Sequence, residues 1–152
     1  MQPRSVARLG AVQALYQIEL TDKNADQVID EFRLHRLGVE IEGITYADVD
    51  TELLDELIRG AATRQDEIDR LIAQNLTADW SFGRLESVLR AILRMGAFEL
   101  LALPAIPVRV VIDEYVDIAH AFFVGSEPGL VNGVLDRLGR ILRSEEMEAN
   151  RN

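Results

Sequence analysis

Leu130-Val131-Asn132-Gly133-Val134-Leu135-Asp136-Arg137-Leu138-Gly139-Arg140-Ile141-Leu142 places its apolar residues at the spacing of one buried helical face. Within that run stand two residues that helices disfavour. Glycine costs about 1 kcal/mol relative to alanine in a helix interior, and asparagine is another weak helix former. A side chain omitted there predicts another backbone close by. Gly10, Gly60 and Gly96 also fall inside helical patterns, which predicts helices packed tightly at several crossings.

Outward from this stretch the chain reads as six helices, and no segment alternates with period two. The first runs from about Ser5 to Leu20, with Val6, Leu9, Val12, Gln13, Tyr16 and Leu20 along one side, and ends in the turn-like Thr21-Asp22-Lys23-Asn24. A short second helix turns Val28, Ile29, Phe32 and Leu37 inward. Gly38 to Tyr46 is a polar, acidic loop, after which Asp48, Asp50 and Thr51 offer caps for a long third helix reaching Gln74. Asn75 to Phe82 breaks the pattern, contains the one tryptophan, Trp80, and ends with Ser81 as a cap for a fourth helix, Arg84 to Leu103. Pro104 stops that helix, and Pro107 opens a fifth in its first turn. Ser126 and Pro128 start the sixth, which frays in the polar tail 144–152. Three helices, a break and three more helices predict an all-α domain of two subdomains, 1–77 and 78–152.

At 152 residues and 48% hydrophobic content the chain suffices for one domain with a proper core. The absence of cysteine excludes disulfides, thiolate metal sites and cysteine nucleophiles together. Met-Gln-Pro-Arg-Ser leads straight into an amphipathic pattern, and no apolar run approaches the roughly 20 residues of a membrane span. A soluble, cytoplasmic protein without membrane contact is expected. The net charge of −10 opposes unspecific binding to phosphate backbones, but its distribution is polarised. Residues 40–56 hold seven acids and no base, whereas the first eighteen residues hold Arg4 and Arg8 and no acid.

Ala14-Leu15-Tyr16, Ile92-Leu93-Arg94, Phe98-Glu99-Leu100, Ile106-Pro107, Ile112-Asp113-Glu114 and Val131-Asn132-Gly133-Val134-Leu135-Asp136 together resemble the NusB family of bacterial transcription antitermination factors. The resemblance implies an all-helical fold of two three-helix subdomains and a non-enzymatic role, with no cofactor and no metal. It also implies binding of boxA RNA together with a small-subunit ribosomal protein, NusE, within an RNA polymerase antitermination complex on ribosomal RNA operons. A related helical domain precedes certain ribosomal RNA methyltransferases, but here no S-adenosylmethionine-type glycine loop follows a strand, and the stand-alone factor is the better match.

Arg4 and Arg8, four residues apart, share a face near the start of the first helix, where their charge opposes the helix dipole. RNA phosphate would relieve both, and the family's arginine-rich N-terminus implies that role. Ser5 stands where further arginines occur in relatives. Between the last two helices, Phe122, Phe123, Gly125 and Ser126 place aromatics beside a glycine turn, the kind of platform on which unpaired bases stack. Phe122 also continues the face of Val111, Tyr115 and Ala119, which is a core reading. Leu130 occupies a position that is aromatic in many relatives. Tyr16, Glu86, Leu89 and Arg90 are the implied contacts to the ribosomal protein. Tyr16 nevertheless shares its side with Val12 and Leu20, and Leu89 replaces an expected acid, which favours a more apolar or self-associating surface there.

Two other readings remain. Asp113, Glu114, Asp117 and His120 fall at helical spacings that in principle hold a metal or relay a proton, yet carboxylates in early turns and a histidine in the last also suit the helix dipole. His35 reads as a surface residue. A helical protein-binding module or homodimer without RNA affinity is the alternative function, favoured by the thin arginine cluster and Leu130.

Overall fold

The computed structural model describes residues 2–35, 40–41, 44–45, 49–77 and 79–149. The chain folds as two compact units, Met1–Thr63 and Arg64–Asn152.

In the first unit, α1 (Pro3–Leu20) begins with a proline whose fixed φ suits a first helical turn. It buries Val6, Ala7, Gly10, Ala11, Val12, Ala14 and Leu15, which packs it on α2 (Ala25–His35) and α3 (Thr51–Thr63). Of the face expected, Val6 and Val12 are buried, but Tyr16 and Leu20 are not. Tyr16 and Leu20 are exposed, because small residues at 7, 10, 11 and 14 bring the neighbouring helices onto the opposite side. Gly10 shows why: a Cβ there would lie 2.7 Å from Cζ of the buried Phe32. Gly10→Ala is therefore expected to cost about 2 kcal/mol by overpacking, read as a fall in urea midpoint, since a packed ring yields less readily than an alkyl tip.

Asn24 and Gln27 cap α2 reciprocally, each side chain accepting from the other's backbone N–H at 2.9 Å. Val28, Ile29 and Phe32 are buried as expected, while Leu37 lies outside the described residues. Within the stretch read as a loop, Glu40–Ile41 and Ile44–Thr45 pair antiparallel as the short strands β1 and β2. Of the proposed caps for α3, Asp50 serves: its Oδ1 accepts from the Leu53 N–H at 3.0 Å. Leu53, Leu54, Leu57, Ile58 and Ala61 form the buried face of α3.

The long third helix is in fact two. Arg64 leaves helical geometry at φ −103°, ψ 20°, and α4 (Gln65–Gln74) starts anew. Ala61 and Ile68 keep the same apolar period on either side, so the break is silent in the pattern. Glu67, in the first turn of α4, has its carboxyl held below the usual range, chiefly by the hydrogen bond from Arg64, a contribution lost as the pH falls through that lowered value.

In the second unit, α4 packs through Ile68 and Ile72 on α5 (Ser87–Ala102), and α5 packs on α6 (Val108–Phe122) and α7 (Glu127–Leu142). Every residue of α5 from Ala91 to Leu100 is buried, as befits a helix surrounded by others. Its start differs from the reading at Arg84: Phe82–Arg84 form a separate 3-10 turn, preceded by a Ser81 that makes no side-chain capping bond. Gly96 is a true close approach, its missing Cβ falling 2.7 Å from Leu135 Cδ1. Gly133 is not. Its nearest neighbour is the Arg137 guanidinium on its own helix, at 3.3 Å, rather than a second backbone.

The tail does not fray after Leu142. Residues Ser144–Ala149 form α8, which packs on α7. Arg143, at the junction, is buried and donates to the carbonyls of Glu99, Leu100, Leu103 and Ile106, while Glu146 accepts from both Arg143 and the Val108 N–H. This joins the end of α5 to the start of α6. No helix among the described residues is long and apolar enough to cross a membrane.

Candidate nucleic-acid interface

At the start of α1, Arg4 is exposed and no acidic residue occupies the first turn, so the positive helix end and one guanidinium stand together facing solvent. Ser5 is half-buried. Arg8 departs from expectation: it is 2% exposed and held by interactions within the protein. Binding phosphate would require it to abandon them, so the spacing of four did not yield two equivalent surface cations. The wide contact arc of α1, made by its small residues, takes in position 8 as well as positions 7 and 11.

Between α6 and α7 the chain presents an apolar tip. Phe122 is 44% exposed, which removes its core reading, and Phe123 is half-buried. Val124 is fully exposed and is followed by the exposed Gly125 and Ser126. The Glu127 carboxylate folds back over Gly125, its Oε2 2.9 Å from where a Cβ would stand, a contact that a flexible side chain can relieve by swinging aside. A ring and a branched aliphatic held outward beside a polar turn suit stacking and edge bonding of an unpaired base. Leu130 does not join them. At 7% exposure it belongs to the core side of α7 and is corrected from a base contact to a packing residue. Val124 was missed in the sequence, although its position in a Phe-Val-Gly-Ser turn beyond the helical period was a usable signal.

The residues assigned to a protein partner divide similarly. Tyr16 is 37% exposed and Leu20, one turn on, more so, giving α1 an outward apolar strip. Glu86 is exposed, at the cap position of α5. Arg90 is half-buried and folds back to the Leu85 carbonyl and to Ser87 Oγ. Leu89, 1% exposed, is core and not surface, because α5 is covered on that side. The more apolar or self-associating surface read from Leu89 in place of an acid loses that support. Asp113, Asp117 and His120 project to solvent along α6, and among the described residues no group of three such side chains is placed to hold a metal.

The chain is predominantly helical, and both the exposed Arg4 at a helix start and the apolar tip at Phe122 and Val124 are features suited to binding. Comparison with known proteins specifies the class. The NusB family model matches residues 5–140. A transcription antitermination protein NusB from Sphingopyxis alaskensis is 46% identical over 144 residues, covering 95% of this chain and 97% of that one. Another, from Allorhizobium ampelinum, is 48% identical over 140 residues, 92% of this chain and 88% of the relative. Among solved structures, T. maritima NusB superposes with a TM-score of 0.77 at 32% identity over 97% of this chain and 99% of that chain. A chain in a structure described as a plectonemic RNA supercoil gives the same TM-score at 26% identity, covering 95% and 99%. This chain belongs to the NusB family of transcription antitermination proteins, a class of transcription factor rather than of enzyme.

Proposed function

We propose that this protein binds boxA RNA together with the ribosomal protein NusE in the bacterial cytoplasm, and so helps RNA polymerase to read through terminators, chiefly on ribosomal RNA operons. The outward Phe122 and Val124 tip is the observation that carries the RNA half of this reading, since an exposed ring beside a polar turn offers an unpaired base a surface to stack on. The RNA named in the description of one structural relative is in keeping with it. Arg4, exposed at the start of α1, is assigned a phosphate contact. The outward strip of Tyr16 and Leu20 is assigned to the ribosomal protein, and Glu86 is assigned to it separately. Two modest affinities on one strand reinforce each other, so RNA should bind more tightly with the partner present.

Fluorescence anisotropy of a boxA oligonucleotide, with and without the ribosomal protein, tests this. Phe122→Ala should weaken RNA binding by about fivefold or more, the lower end for loss of one stacked base. Arg4→Glu should flatten the dependence of log affinity on log salt by about 0.7, the share of one phosphate on a single strand. Absence of RNA binding under both conditions would replace this reading by a protein-only module or homodimer.

A further inference from the structure

Asn132-Gly133 opposes its own helix, and packing accounts for only half of the pair. Gly133 leaves room for Arg137, whose guanidinium passes over it to donate to the Asn75 carbonyl at 2.9 and 2.7 Å. Asn132 is exposed and makes no hydrogen bond among the described residues. Its amide is instead part of the wall of a cavity of about 310 Å³ between α6, α7 and α8, wholly inside the second unit. The apolar part of the lining is Val108, Ile112 and Met147. The polar part is Asn132, Arg109, Arg140 and Asp136. Arg140 Nε is paired with Asp136 at 3.0 Å, whereas Arg109 has neither ion pair nor hydrogen bond among the described residues. On a chain of net charge −10, two guanidinium groups against one carboxylate make this lining locally cationic.

We propose that this groove is a second nucleotide subsite for single-stranded RNA. One unpaired base lies on Val108, Ile112 and the Met147 thioether, the Asn132 amide bonds its edge with one donor and one acceptor, and Arg109 holds the adjoining phosphate. The volume stands at the small end of the roughly 300–1,000 Å³ of ligand pockets, which admits one nucleotide and little more. An amide is suited to base edges because donor and acceptor sit side by side, and sulfur packs favourably on aromatic rings. The cost of an asparagine in mid-helix is thereby explained by binding and not by folding. The proposal rests on the RNA-binding reading above but concerns a lining that includes neither Arg4 nor Phe122.

The test uses the full chain and a boxA oligonucleotide, with Asn132→Ala and Arg109→Ala each compared with wild type. Each variant should lose about fivefold in RNA affinity, the loss of one hydrogen bond or phosphate contact. Arg109→Ala alone should also lower the salt slope by about 0.7. Asn132→Ala should melt at the same temperature or higher, because alanine is the better helix former, so weaker binding would not reflect damage to the fold. Wild-type RNA affinity in both variants overturns the subsite while leaving RNA binding through Phe122 intact. Loss of affinity for the ribosomal protein alone overturns it too, making the groove a protein contact. A wild-type chain that binds no RNA removes the functional reading first and the subsite with it.

Discussion

Arg143→Met is expected to destabilise the second unit by about 3–5 kcal/mol, the range for removing one partner from a buried charged network. The Arg143 guanidinium donates to the Glu99, Leu100, Leu103 and Ile106 carbonyls at 2.8–3.0 Å and to Glu146 Oε1 at 3.0 Å. Glu99 O and Leu103 O also accept from the Leu103 and Ile106 N–H groups, so the Leu100 and Ile106 carbonyls lose most, at a buried site that offers little water to replace the donors. Methionine fills similar volume without donating, so the loss is polar and not a cavity. Glu146 then keeps its bond to the Val108 N–H, at 2.7 Å, but loses its counter-charge. For a chain of this size the thermal midpoint should fall by roughly 10 °C, at about 2–4 °C per kcal/mol. Glu146→Gln, which preserves an acceptor for Val108, should cost much less. Calorimetry showing an Arg143→Met midpoint within about 2 °C of wild type would refute the network's role.

Arg94→Ala should cost about 3 kcal/mol by the same logic. Arg94 is buried in α5 and grips Asp69 of α4 through two parallel hydrogen bonds, Nε to Oδ1 at 2.8 Å and Nη2 to Oδ2 at 3.0 Å. Its guanidinium carbon also lies 5.5 Å from the centre of the Phe82 ring in the 3-10 turn. Lysine offers a point charge and no planar fork, so Arg94→Lys should rescue little. The loss has a local signature. Hydrogen exchange should accelerate at Ile68 and Ile72 of α4 more than at Val134 and Leu135 of α7, because Asp69 fixes α4 in place. Uniform acceleration, or none, would show that α4 is held by its apolar contacts alone.

These two arginines also mark how far the sequence could be read. Arg94 was visible as part of a family block, but its partner Asp69 was assigned to the opposite half of the molecule, since one apolar period spans the break at Arg64. Arg143 opened a tail that read as frayed, because its carbonyl partners lie 37–44 residues away and Glu146 meets a backbone N–H 38 residues away. The candidate site was legible where exposure follows from leaving an element: Arg4 in a first turn, Phe122 and Ser126 at a helix junction. Within helices it was not. Arg8 and Leu89 were placed on surfaces and are core, Leu130 was read both as a buried position and as a base contact and is core, and Tyr16 shared its side with Val12 and Leu20 yet faces solvent.

By itself the sequence determined that the chain is helical, where most helices begin and end, which residues of α3 and of α7 as far as Leu138 turn inward, and to which family it belongs; Ile141, read on the same face, is exposed. Apolar period, proline position and capping residues are local properties and act before any packing. Tertiary structure decided which side of α1 is covered, that α4 packs with α5, that the tail folds into α8, and that Asn132 faces a cavity. Each of these depends on a neighbour distant along the chain, such as Phe32 over Gly10 or Leu135 against Gly96, and spacing within one helix cannot tell which of its faces that neighbour will occupy.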